Sequence, residues 1–334
     1  MNRLPIALTC GEPAGVGPEI TVKAWQELRG ATPFFLISDV NAMRPIAAAY
    51  DVEVEEISDP ADAVIVSASH LPVLHQPLPD GIQSGNLSAD NAPSVVQSIK
   101  SAVSFTKSGQ ALAVCTNPIN KHALKAGAGF AFPGHTEFLE SLSGTEAKAV
   151  MMLAAPELKV VPLTIHIPLA DVAKAVTAEL LEITIKTTHT ALQNDFGIAA
   201  PRIAVAGLNP HAGENGAMGR EEIELITPTL ERLRAAGISL LGPLPADTMF
   251  HEPARAKYDV AICMYHDQAL IPIKTLNFSA GVNVTIGLPF VRTSPDHGTA
   301  LDIAGQGLAD PTSLIEALKL AQILGENRRA RNEH

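Results

Sequence analysis

Short apolar runs alternate along this chain with loops rich in Gly, Pro and Asn and with segments whose apolar residues recur at helical spacing. The runs at residues 5–10, 34–38, 111–115, 158–166, 202–208 and 259–264 are of strand length and predict strands. Helical spacing marks residues 18–29, where Pro18 suits a first turn and Gly30 a stop, and 90–107, with Val95, Val96, Ile99 and Val103 on one face. Further helices are predicted over 177–194, over 220–236 with an interruption at Pro228, and over 312–325, capped by Thr312 or Ser313. Strand, loop and helix in regular alternation predict an α/β architecture with a largely parallel sheet. No fixed-period repeat or low-complexity tract interrupts it, and long loops fall at 76–92 and 241–257.

A chain of 334 residues is long for a single core, so two lobes are expected. The boundary is placed near residue 125 with a return near 270, giving residues 1–125 with 270–334 as lobe one and 126–269 as lobe two. A formal net charge of -11 argues against a broad nucleic-acid or anionic-membrane surface, which needs clustered Lys and Arg, but leaves room for a local cationic pocket. Leu4–Thr9 is too short for a signal-peptide core and no stretch approaches a membrane span, so a cytoplasmic protein is expected. The three cysteines, Cys10, Cys115 and Cys263, each end an apolar run and form no C-x-x-C pair, which predicts small buried thiols.

The candidate chemistry begins in three similar contexts: "KVVPLTIHIPL" delivers His166, "RIAVAGLNPHAGENG" delivers His211 and "DVAICMYHDQ" delivers His266, each at or just beyond the end of an apolar run. Ligands of open α/β sheets gather outside the carboxyl ends of strands, so these imidazoles could meet around Zn²⁺ or a similar ion; three unrelated histidines would look the same in sequence. In "CMYHDQALIPIK" Cys263 is expected in the strand core, with His266, Asp267 and Lys274 beyond it. Lys274 and Arg292 flank Asn283 and would suit a substrate carrying phosphate or carboxylate, or else lie on the surface. In "FPGHTEFL", His135 and Thr136 follow a Pro-Gly turn, with Thr136 as the expected helix cap. "TCGEPAGVGPEI" has glycines between strand and helix but matches no nucleotide-loop fingerprint. "TSPDHGTALDIAGQGLADP" collects Asp296, His297, Gly298, Thr299 and Asp302 in a turn ahead of a helix, either a capped turn or a loop for the ribose and adenine of a dinucleotide.

Taken together, "GEPAGVGPEI", "FPGHTEFL", "GLNPHAGENG", "GPLPADTMF", "YHDQALIPIK" and "VTIGLPFVRTSPDHGTALDIAG" run in order over nearly the whole chain. They resemble the 4-hydroxythreonine-4-phosphate dehydrogenase family of vitamin B6 biosynthesis. The last segment also resembles the dinucleotide loop of isocitrate and isopropylmalate dehydrogenases. The resemblance implies the two-lobed fold of those enzymes, with an interlobe cleft, and a homodimer whose active site is completed by the partner subunit. It implies one divalent ion (Zn²⁺, Mg²⁺ or Co²⁺) on His166, His211 and His266, and NAD or NADP as the cofactor on the Asp296–Asp302 loop. His135, Thr136, Lys274, Asn283 and Arg292 become substrate contacts by the same motif-by-motif comparison.

The implied reaction is oxidative decarboxylation of 4-phosphohydroxy-L-threonine to 3-amino-2-oxopropyl phosphate. By position, Asp247 in "PADTMF" and Asp267 beside His266 are candidates for the acid/base work. Rival readings are a sister dehydrogenase of D-threonate or D-erythronate 4-phosphate, a three-histidine metallohydrolase of phosphate esters, and a non-catalytic metabolite-binding protein. Glu12, where the sister group tends to carry Asp, leans toward the B6 enzyme, and a hydrolase would leave "DHGTALDIAG" without a purpose.

Overall fold

The computed structural model describes residues 3–145 and 148–332. Its strands in chain order are β1 (Ile6–Thr9), β2 (Phe34–Ser38), β3 (Val54–Ile57), β4 (Leu71–His75), β5 (Val114–Thr116), β6 (Val150–Ala155), β7 (Leu158–Pro162), β8 (Arg202–Ala206), β9 (Ser239–Leu244), β10 (Val260–Cys263), β11 (Val282–Ile286) and β12 (Arg292–Pro295). The longer helices are α1 (Gly17–Leu28), α2 (Val40–Ala48), α3 (Ala92–Lys107), α4 (Lys121–Ala128), α5 (His135–Ser143), α6 (Ala178–Asn194), α7 (Thr227–Ala235), α8 (His266–Leu276) and α9 (Thr312–Asn332). The chain divides into two compact units, Met1–Ala147 with Leu288–His334, and Lys148–Gly287.

In the first unit the strands are all parallel, in the order β3-β4-β2-β1-β5-β12. Every residue of β1 and β2 is buried, so successive side chains are covered on both faces, which is why "IALT" and "FFLIS" read as unbroken runs. Helix α3 packs on β1, β2 and β5 through Val95, Ile99, Ala102 and Val103, while Val96 sits half-buried at the edge of that stripe. Ser98 interrupts the stripe with purpose: its hydroxyl donates to Ile37 O at 2.9 Å and accepts from Cys10 N–H at 3.1 Å. Helices α4 and α5 pack against α3, which places the first junction after residue 147 rather than near 125.

The second unit orders its strands β11-β6-β7-β10-β8-β9, with β7, β10, β8 and β9 parallel and β6 antiparallel to both neighbours. At its centre Ala261 pairs with Val160 on one side and Ala204 on the other, all three fully buried. Because β11 pairs with β6 (Asn283 opposite Leu153), the return to the first unit falls after residue 287, not near 270. The strand expected over 158–166 ends at Pro162, whose missing N–H cannot extend a ladder. Residues 222–226 form a π-helical turn ahead of α7, and Pro228 sits harmlessly in the first turn of that helix.

Candidate functional site

The carboxyl ends of three adjacent parallel strands of the second unit carry the three histidines. His166 follows β7, His266 follows β10 and His211 follows β8. Leu163 N–H donates to Cys263 O at 2.7 Å, and Thr164 Oγ1 donates to Met264 O at 2.8 Å, tying the exit of β7 to that of β10. Gln268 then ties β10 to β8, accepting from Met264 N–H at 2.7 Å and donating to Gly207 O at 2.9 Å. The rings of His166 and His266 stand with centroids 5.9 Å apart over a cavity of about 240 Å³ lined by Ile165, Leu169, Tyr265 and Asp267 as well. His266 Nδ1 is 2.7 Å from Asp267 Oδ1, which favours the tautomer with Nδ1 protonated and Nε2 available as a ligand nitrogen. His211 is not part of that lining, and among the described residues no group of three His, Cys, Asp or Glu side chains is disposed to hold a metal ion. The donor types suit a divalent ion; the geometry supplies a pair of rings with a third at the neighbouring strand end.

The His211 segment has an uncommon backbone. His211, Ala212, Gly213, Glu214 and Asn215 all have positive φ (54°, 52°, 81°, 42° and 58°), a left-handed turn that costs L-residues roughly 1–2 kcal/mol each. Asn209 anchors its entrance: its N–H donates to Glu222 Oε1 at 2.7 Å, and its side-chain amide donates to Glu221 at 2.7 Å and to Glu222 at 3.0 Å.

The other candidates of this unit lie on separate elements. Lys274 is half-buried near the end of α8, with Nζ 5.6 Å from the Phe278 ring centroid. Asn283 on β11 is half-buried, and its Oδ1 is shielded from solvent without a hydrogen-bond partner among the described residues. Asp247 is exposed in a single 3-10 turn, Ala246–Thr248. Cys263 is fully buried strand core with its thiol pushed well up by burial, and burial pushes Cys10 and Cys115 up to about 12, so all three pack as neutral thiols.

A second constellation belongs to the first unit. Arg292 opens β12 and is only 3% exposed; Nη2 donates to Thr116 Oγ1 at 2.6 Å, and burial lowers its pKa to about 10, which leaves it charged at neutral pH. His135 is the first residue of α5, its Nε2 shielded from solvent without a hydrogen-bond partner among the described residues. Burial, then Arg292, then Lys121 hold its pKa well below the ordinary histidine value, so it is a neutral imidazole. Thr136 is not the cap expected of it: Gly134 occupies the N-cap position and Thr136 lies inside the first turn. Lys121 and Thr116, which carry no motif of their own, join this group only through the fold.

The loop from Asp296 to Pro311 packs on the N-terminal glycine loop. Val16 N–H donates to Thr299 O at 2.9 Å, and a side chain at Gly15 would meet that same oxygen at 2.7 Å. Glu19, 3% exposed, accepts from Gly307 N–H at 3.2 Å and Ala309 N–H at 3.0 Å, and Lys23 donates to Ala309 O at 2.7 Å. These contacts wall a cavity of about 270 Å³ that includes Glu19, Tyr50, Ser84 and Gly305. His297, Gly298 and Asp302 are exposed, Asp296 and Thr299 half-buried, and Ala300 takes a left-handed φ of 43° between them. Glu12 is buried, its carboxyl pushed up by desolvation and accepting from Ala14 N–H at 3.1 Å. The Glu19–Lys23 clamp was readable only as an i, i+4 pair on a predicted helix.

Known proteins match this chain over nearly its whole length. A protein of Ruegeria sp. (strain TM1040) named 4-hydroxythreonine-4-phosphate dehydrogenase is 55% identical over 323 residues, covering 97% of each chain. The crystal structure of 4-hydroxythreonine-4-phosphate dehydrogenase from Klebsiella pneumoniae superposes with a TM-score of 0.88 at 40% identity, over 96% of this chain and 98% of that one. A terephthalate 1,2-cis-dihydrodiol dehydrogenase from Burkholderia xenovorans LB400 is more distant, with a TM-score of 0.66 at 28% identity over 96% and 98% of the two chains. The family model described as pyridoxal phosphate biosynthetic protein PdxA matches residues 30–321, and the chain belongs to that family.

Proposed function

We propose that this chain is a 4-hydroxythreonine-4-phosphate dehydrogenase of vitamin B6 biosynthesis, an oxidoreductase that uses a nicotinamide cofactor. The observation that carries the reading is its 55% identity, over 97% of both chains, with a protein of that name. Hydride leaves the carbon bearing the 3-hydroxyl for NAD⁺ or NADP⁺ while the hydroxyl proton goes to a base. The resulting 3-keto acid loses CO₂, and protonation of the enolate-like product gives 3-amino-2-oxopropyl phosphate.

Each group has a chemically suited task. Arg292, charged and buried, and His135, neutral with an available ring nitrogen, are assigned with Thr136 to the phosphorylated substrate, and Lys274 and Asn283 keep the substrate-contact role that the motif resemblance implies. A divalent ion (Zn²⁺, Co²⁺ or Mg²⁺) held by His166, His211 and His266 would supply positive charge beside the reacting oxygen in both stages. Asp267 orients His266 through its 2.7 Å contact, and Asp247, exposed to solvent, is the candidate to exchange protons with it. The loop bearing Asp296, His297, Gly298, Thr299 and Asp302 is assigned to the dinucleotide, beside the cavity of Glu19 and Tyr50. The reading includes a cytoplasmic homodimer. The exposed apolar side chains Ile271 (63%) and Phe278 (78%), on and just after α8, are the surface such a partner would cover.

The test is nicotinamide absorbance with purified protein, NAD⁺ or NADP⁺, each metal, and either 4-phosphohydroxy-L-threonine or the D-threonate and D-erythronate 4-phosphates. Reduced cofactor formed fastest from the amino substrate is expected. Faster turnover of the sugar-acid phosphates would move the assignment to the sister dehydrogenase. Phosphate release without reduced cofactor would replace it with a hydrolase, and Asp247→Asn retaining full kcat would remove that residue's role.

A further inference from the structure

The left-handed turn that carries His211 needs an outside restraint, since His211, Ala212 and Glu214 have side chains that disfavour positive φ. Within the segment, Ala212 N–H donates to Asn209 O at 3.1 Å, Met218 N–H to Gly213 O at 3.1 Å and Ala217 N–H to Glu214 O at 3.2 Å. The restraint from outside comes from Glu222, the first residue of the π-helical turn and 3% exposed. Both of its carboxylate oxygens are engaged by Asn209, at 2.7 Å through the backbone N–H and at 3.0 Å through the side-chain amide. Its Oε2 also lies 2.6 Å from where a Cβ of Gly213 would stand, so the carboxylate packs directly against the turn at a position where only glycine admits it.

We propose that Glu222 is a positioning residue, whose buried carboxylate locks the 211–215 turn in its left-handed form and thereby sets the place of His211 for a divalent ion. This rests on the reading of His211 as a ligand. Glu221 shares the Asn209 amide at 2.7 Å but reaches it from a half-buried position, so it assists where Glu222 determines.

Glu222→Gln keeps the shape and turns one acceptor into an N–H₂ that faces a donor of Asn209. Amide hydrogen exchange and Co²⁺ titration by visible absorption, each on the full chain, read the two halves of the proposal. Faster exchange confined to residues 212–218, with Co²⁺ affinity lowered roughly 10–100-fold, is expected. Unchanged exchange would overturn the lock, and loosened exchange with unchanged Co²⁺ affinity would overturn the positioning role, leaving a merely structural carboxylate. Should Glu222→Gln not fold, Asn209→Ala removes the side-chain donor alone and is held to the same two outcomes. His211→Ala separates the layers. If it binds Co²⁺ like the wild type, the ligand reading itself fails, and any loosening in Glu222→Gln is then a backbone effect only. If it loses Co²⁺ while Glu222→Gln does not, only the role of Glu222 is overturned.

Discussion

His135 sits where a charged imidazole is unwelcome: the residue is half-buried with Nε2 shielded from solvent, and the nearby guanidinium of Arg292 and ammonium of Lys121 both disfavour a proton. The unfolded chain takes up that proton as pH falls through the ordinary histidine value of 6.5, while the folded chain does not. The unfolded state therefore binds more protons in this window, so stability is present above it and declines as the medium is acidified. His135→Gln should lose less stability than the wild type between pH 7.5 and 5.5, measured as the shift in urea midpoint; equal losses would contradict a neutral buried ring. The neutrality also bears on the substrate role proposed for both residues, because a neutral imidazole can orient an oxygen without adding to the charge of Arg292.

Among the elements, α3 shows how packing and polar satisfaction combine. Ser98 is fully buried within an apolar stripe, and its one hydroxyl serves the carbonyl at the end of β2 and the N–H just beyond β1. Ser98→Ala leaves both without that partner and should destabilise the fold by about 1–3 kcal/mol in equilibrium unfolding, more than Ser104→Ala at an exposed position of the same helix. The loop from Asp296 to Pro311 depends in the same way on α1, through the Glu19 carboxylate and the Gly307 and Ala309 amides. Glu19→Ala should raise the Kd for NAD⁺ roughly tenfold, the equivalent of about 1.4 kcal/mol, while leaving Co²⁺ affinity unchanged. An unaltered NAD⁺ affinity would separate that loop from the cofactor.

For the molecule as a whole, the second unit's core does not need an ion. Val160, Ala204, Ala261 and Cys263 close it with buried apolar surface, and Thr164 and Gln268 tie the strand ends through neutral hydrogen bonds. Chelation is therefore expected to abolish dehydrogenase activity yet preserve the far-ultraviolet circular dichroism. The thermal midpoint should fall by only a few degrees, consistent with about 2.7 kcal/mol of linkage at 100-fold excess of metal over Kd. Global unfolding on chelation would make the ion a structural one. No helix among the described residues is long and apolar enough to cross a membrane.

The sequence by itself determined the α/β class, the positions of β2, β8 and β10, the helix α6 to within a residue, and the buried character of all three cysteines. These are local consequences of apolar runs and helical spacing. It also marked His166, His211 and His266 as strand-end residues, because a polar group just past an apolar run is visible in one dimension. The tertiary structure alone decided that β10 lies between β7 and β8, which makes those three ends neighbours. It alone decided the junctions after residues 147 and 287, since these depend on α4 and α5 packing on α3 and on β11 pairing with β6. The backbone of the His211 turn was equally out of reach: left-handed φ at Ala212 or Glu214 contradicts local preference and is sustained by Glu222, a contact across 13 residues between Asn209 and the π-helical turn that no periodicity announces.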